Sequence, residues 1–268
     1  MVISIPIRTL NDVTEKASDI SNDSEDYDAG LVRAEGDALD RVIAFYDADI
    51  KFLDYCLGIF FEWLGERSDL DRCIIVLTSD HGERLGERGL LGHQLGLDNV
   101  LLHVPLIVRY PPLVNKGRYS QQVQSHHVFE LVLNLISKAR VQGRPKEVAN
   151  LKLSESPIAV AQMRYQGGYL ESLKKRNPQI DIAPYEGDWY AASDGKLKLW
   201  HSTSGTIRLY DLLEDPSEQN DVSGKLPSEV ARLLPAVDAL PEFSSGKKAK
   251  NVPAHLLELL KSLGYIHK

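Results

Sequence analysis

The sequence predicts an α/β fold: part of a parallel sheet with flanking helices over residues 1–150, then a small antiparallel α+β subdomain with a terminal helix over 151–268. Three observations carry that expectation. Apolar residues recur at three- and four-residue steps from Leu39 to Leu64. A β-branched run over residues 73–79 ends abruptly in Asp80-His81-Gly82. Beyond Trp189, short apolar segments are separated by tight-turn residues such as Asp194-Gly195.

Residues 9–38 are polar and acidic, centred on Ser21-Asn22-Asp23-Ser24-Glu25-Asp26, and read as a loop. Leu39, Val42, Ile43, Tyr46, Ile50, Leu53, Leu57, Phe60 and Leu64 then predict a long amphipathic helix with one core face. The run at 73–79 reads as a buried strand, and 104–110 as a second one stopped by Pro111-Pro112. Between them lies a glycine-rich loop, 83–93. Val128, Leu131, Val132, Leu135 and Ile136 mark a helix over 123–139. Helix, strand, loop, strand, helix at this spacing predicts parallel pairing. Further strands are expected at 157–161, 189–193, 196–200 and 207–210. Asp194-Gly195 makes the first hairpin turn, and a last helix at 254–263 is capped by Gly264.

Composition narrows the function classes. The 268 residues are 43% hydrophobic and 26% charged, with a net charge of −7 that argues against nonspecific nucleic-acid binding. Cys56 and Cys73 lie in apolar segments and fit neither a disulfide framework nor a zinc spacing. No apolar stretch reaches the ~18 residues of a membrane span. The first residues lack the basic start and long apolar region of a signal peptide. The compartment is left open.

The chemistry is expected where the first strand ends. In an open α/β sheet ligands bind at the carboxyl ends of strands, so Asp80 and His81 sit at the chemical edge. A carboxylate beside an imidazole can share one divalent cation, and Gly82 lets the backbone turn behind them.

Four ordered stretches resemble the C-terminal half of the sulfatase family, in the alkaline-phosphatase-like superfamily. Tyr46-Asp47-Ala48-Asp49-Ile50 is similar to the helix before the metal-site strand. Residues 74–83, IIVLTSDHGE, are similar to the family's most recognisable C-terminal motif. Leu85-Gly86-Glu87, Gly92-His93 and Val104-Pro105-Leu106-Ile107 follow. Asp194-Gly195-Lys196-Leu197 and Leu209-Tyr210-Asp211-Leu212 with Asp215-Pro216 close the set. The resemblance implies hydrolysis of sulfate esters by a formylglycine nucleophile, made from the Cys or Ser of a C/S-x-P/A-x-R motif. It also implies a divalent metal, calcium in the family, at Asp80 and His81; the imidazole equally suits zinc or manganese. His93 falls near the position where relatives place a Lys or His against the sulfuryl oxygens or the leaving group. The implied substrate is a small-molecule or glycan sulfate ester, or a phosphate ester if the chain is a phosphoesterase or phosphotransferase of the superfamily. Glu83 and Glu87 read as loop-ordering residues, Arg84 and Arg88 as solvated or anion-attracting, and His103, His126 and His127 as structural or surface residues.

The expected departures are as informative. Cys56 stands in CLGIF and Cys73 in CIIVL, neither followed by Pro/Ala and Arg, and no histidine occurs in residues 1–40. On that ground the chain is expected to lack the formylglycine motif and to be inactive alone. It then reads as a fragment, one half of a split protein or a non-catalytic remnant. Its partner would be a missing N-terminal half or a second copy of the chain, because an incomplete sheet leaves an edge and an apolar face exposed.

Overall fold

The computed structural model describes residues 24–31, 37–141 and 157–241. The expected helix at 254–263 lies outside them. Helix α1 (Ser24–Asp28) interrupts the stretch expected to be a loop. Its acids are tied down: Glu25 accepts from Ser172 (2.6 Å) and Arg176 (2.9 Å), and Asp28 accepts from Tyr169 Oη and the Leu91 amide (both 2.7 Å). These bonds lock α1 against α5 (Gly167–Arg176), a helix the sequence reading did not anticipate. Ala29, Leu90, Leu95, Leu170 and Leu173 form the apolar cluster beneath them.

Helix α2 (Asp37–Glu66) is the predicted long helix. The prediction of a core face is corrected: Leu64 is buried, but Tyr46, Ile50, Leu53 and Phe60 are 37–55% exposed. Strands β1 (Ile75–Thr78) and β4 (Leu106–Arg109) form a two-stranded sheet. Their pairing is antiparallel, with Ile75 opposite Arg109 and Thr78 opposite Leu106, which corrects the expected parallel sense. A parallel pair needs a crossover that returns the chain to the same edge, usually a helix of some length. Here the connection holds only the hairpin of β2 (Arg84–Leu85) and β3 (Leu91–Gly92) and the one-turn helix α3 (Asn99–Leu102), so the chain simply reverses. Helix α4 (His127–Val141) covers this pair, packing Leu131 and Leu135 with Leu113, Ile74, Val108 and Tyr110.

The second half carries the expected antiparallel meander. Strands β5 (Ala159–Met163), β6 (Trp189–Ser193), β7 (Leu197–Ser202) and β8 (Ile207–Asp211) pair in sequence order. Asp194 Oδ1 accepts the amides of Lys196 and Leu197, and Gly195 takes φ 88°, which explains the Asp-Gly turn. Trp189, Trp200 and Tyr210 meet edge to face and pack with Leu97 from the connection after β3. Helix α6 (Pro227–Asp238), also unanticipated, opens on a proline, where the missing N–H costs nothing.

Candidate functional site

The backbone turns sharply after β1. The Gly82 amide donates to the Leu101 carbonyl at 2.8 Å, and a Cβ at Gly82 would lie 1.9 Å from the Val100 carbonyl oxygen. Only glycine lets the turn seat against α3. Ser79 Oγ donates to the His81 carbonyl (2.7 Å), and Asp80 Oδ1 accepts the His81 amide (3.0 Å). These two bonds fix the Asp-His pair at the strand end, as expected from sequence.

His81 Nδ1 lies 2.8 Å from the Gly82 carbonyl oxygen. A carbonyl can only accept, so Nδ1 carries the hydrogen and the Nε2 lone pair faces outward. Asp80 Oδ2 is 3.7 Å from that Nε2, and the Asp80 side chain is 60% exposed.

The β2–β3 hairpin brings in the other two residues. Arg84 pairs with Gly92 and Leu85 with Leu91. Extending that register by one residue places Glu83 opposite His93, and Glu83 Oε2 lies 3.0 Å from His93 Nδ1. The His93 ring stacks on His81, with centroids 4.1 Å apart and planes 29° from parallel. The hydrogen bond and charge of Glu83 raise the His93 pKa above the ordinary imidazole value against an opposing effect of partial burial. One ligand atom each from His81, Glu83 and His93 lies within 4.8 Å of the others.

Glu83 is therefore the residue that sequence reasoning undervalued. The signal was its position opposite His93 across a loop punctuated by Gly86, Gly89 and Gly92. Glu87 does order the loop, accepting the Leu85 amide at 2.6 Å. Arg84 and Arg88 are neither solvated nor aimed at the site: both pair with Asp98, Arg84 is 1% exposed, and Arg88 lies over the Trp200 and Tyr210 rings. Burial lowers the Arg84 pKa to about 10. His127 is buried at the start of α4, where its Nδ1 accepts the Gln124 amide, and His126 meets its ring edge. Neither belongs to the cluster, and His103 closes α3.

Calcium does not fit this donor set. The ion takes six to eight oxygen ligands. The three side chains that converge here offer two imidazole nitrogens and one carboxylate.

One sequence-based expectation is corrected by the sequence itself. The cysteine form of the formylglycine motif is absent, but Ser4-Ile5-Pro6-Ile7-Arg8 spells the serine form, S-x-P-x-R. These residues lie outside the described part of the structure.

Comparison with known proteins agrees with the geometry. The sulfatase family model matches residues 10–138. The chain is 36% identical over 96 residues to the multifunctional alkaline phosphatase superfamily protein PehA of Trinickia caryophylli, covering 36% of this chain and 18% of that protein. It is 25% identical over 187 residues to N-acetylglucosamine-6-O-sulfatase of Bacteroides thetaiotaomicron, covering 67% of this chain and 32% of the enzyme. Its fold matches the phosphonate monoester hydrolase of Silicibacter pomeroyi with a TM-score of 0.61 at 17% identity, over 87% of this chain and 49% of that one. The chain thus spans a third or less of the length of these curated relatives. With the ordered motifs, the family match and the shared fold together, the chain belongs to the sulfatase family of the alkaline-phosphatase-like superfamily, and its motifs are those of the family's C-terminal portion.

Proposed function

We propose that this chain supplies one side of an active site that hydrolyses sulfate esters, with Asp80 and His81 on the metal side and His93 on the leaving-group side. The observation that supports this most is the meeting of His81, Glu83 and His93 at the end of β1. With Nδ1 held by Glu83, His93 Nε2 is the ring atom left to donate to the departing ester oxygen, where negative charge develops. Glu83 orients the ring and keeps it electropositive. Asp80 is fixed by the His81 amide and adds a carboxylate at the same edge. Sulfatases generally use a divalent metal, and this pair is where one would attach.

The nucleophile and further metal ligands are the unmet requirement. Ser4 stands in the right motif, and peptide mass spectrometry of the purified chain reads whether it is converted to formylglycine. We expect an unmodified serine and no turnover by the chain alone. Mixing the chain with the N-terminal portion of a sulfatase relative should then restore aryl-sulfate hydrolysis, and His93→Ala and His81→Ala should abolish the gain. A complemented protein that hydrolyses aryl phosphate or phosphonate monoesters in preference to sulfate overturns the sulfate assignment. That outcome would favour the phosphoesterase reading, which the fold shared with a phosphonate monoester hydrolase supports. No gain with any ester would leave the chain a non-catalytic member of the family.

A further inference from the structure

We infer that His81, Glu83 and His93 form a ligand triad for a borderline divalent ion of the zinc type, a site set apart from a calcium pair at Asp80 and His81. The inference deepens the metal part of the function proposed above, because it names the ion class and two further ligands.

Four observations carry it. The donor chemistry comes first: two imidazole nitrogens and a carboxylate oxygen make up a set that zinc prefers and calcium does not. The tautomer comes second. His81 donates Nδ1–H to the Gly82 carbonyl, leaving Nε2 as the ligand atom; ligating histidines almost always anchor their other nitrogen this way. Third, the three donors come from two backbone segments that the hairpin register holds face to face. Glu83 and His93 are already in contact at 3.0 Å, and the His81 and His93 rings lie 4.1 Å apart. Fourth, the site is reachable, since His81, Glu83 and His93 are 33%, 29% and 41% exposed.

The donors lie within 4.8 Å of one another. Two ligands on one zinc ion are separated by at most about 4.2 Å, twice the metal–ligand distance. Closing the triad therefore takes a rotation of side chains at the surface and no movement of β1, β2 or β3. On binding, the ion displaces any proton from the His93 nitrogen that it takes and supplies the positive charge in its place. A fourth position stays open to water or to an ester oxygen. Asp80 is left outside: the group that converges is His81, Glu83 and His93.

The test is metal binding by the untagged full chain, stripped with chelator and titrated with Zn²⁺ by calorimetry and with Co²⁺ by visible absorption. One equivalent should bind, with the strong visible bands of four-coordinate cobalt, and millimolar Ca²⁺ should not displace it. Losing an outer-shell partner already weakens metal sites 10- to 100-fold, so Glu83→Gln and His93→Ala should each cost at least ~100-fold in affinity. Asp80→Asn should change affinity by no more than a few fold, and His126→Ala should leave it unchanged. Circular dichroism of each variant confirms that the fold is retained. Three results overturn the inference: no stoichiometric Zn²⁺ or Co²⁺ binding, binding lost in Asp80→Asn but indifferent to Glu83→Gln and His93→Ala, or binding lost in His126→Ala. If zinc binds as stated while the complemented protein hydrolyses no ester, the proposed function falls and the metal site stands.

Discussion

At Gly82 a single hydrogen atom in place of a side chain decides whether the site exists. A Cβ there would collide with the Val100 carbonyl, which is backbone and cannot rotate away. Gly82→Ala is therefore expected to destabilise the fold by about 1–3 kcal/mol, the usual cost of overpacking. It should also shift the 81–83 turn, seen as weaker Co²⁺ binding; urea unfolding measures the first effect. The neighbouring pair Glu83–His93 makes a prediction about protons. In metal-free protein, NMR titration should place the His93 pKa above the ordinary ~6.5 of an imidazole, and Glu83→Gln should bring it back. A folded-state pKa raised in this way means the folded chain holds the proton longer than the unfolded chain. The pair's contribution to stability is then complete below about pH 6.5 and disappears as pH rises through the folded value. The half-exposed position keeps that contribution small.

The sequence made some elements legible and hid others, for physical reasons. The hairpin at Asp194-Gly195 was legible because turn chemistry is local: the Asp194 carboxylate caps two amides within three residues. The sense of the β1–β4 pairing was not, because an apolar run reports burial and says nothing of direction. Asp80 and His81 were legible as a strand end, whereas Glu83 gains its role only through the register that sets it opposite His93, ten residues on. The connection after β3 is held to the meander by buried charges that no local pattern announced. Lys198 Nζ donates to Glu218 Oε1 (3.0 Å) and Asn99 Oδ1 (2.9 Å), and the Asn99 amide donates to the same Glu218 oxygen (2.6 Å). Lys198 and Glu218 are each 1% exposed, and burial pushes the Lys198 ammonium down to about 8 while Glu218 pulls it back. Removing one partner of such a pair strands the other, so Glu218→Ala should cost about 3–5 kcal/mol in urea unfolding. Replacing both, as in Lys198→Met with Glu218→Leu, should recover most of that loss, since an apolar pair of similar volume costs little in such sites. Equal losses in the single and double variants would show that the charges are not what couples the two segments.

At the scale of the molecule, α2 is the element out of balance. Its 30 residues extend about 45 Å at 1.5 Å per residue. Phe45, Tyr46, Ile50, Phe52, Leu53, Tyr55, Ile59, Phe60 and Trp63 are all 36–67% exposed. At 100° per residue these nine positions wrap more than half of the helix circumference. A helix apolar on so much of its surface belongs inside a protein, covered on several sides. Among the described residues its links to the rest are confined to its two ends, near Leu39 against Gly86 and at Leu64. An exposed apolar area of this extent marks an interface or an association hazard. The isolated chain should therefore self-associate at micromolar concentration, by sedimentation velocity under reducing conditions that keep the exposed Cys56 from cross-linking. The triple variant Phe52→Lys, Ile59→Lys and Trp63→Lys should shift it to monomer. Because these side chains are already exposed, the melting temperature of the rest should stay within a few degrees. A wild-type chain that sediments as a monomer at tens of micromolar, or a triple variant that loses its fold, would mean that α2 is covered from within the chain.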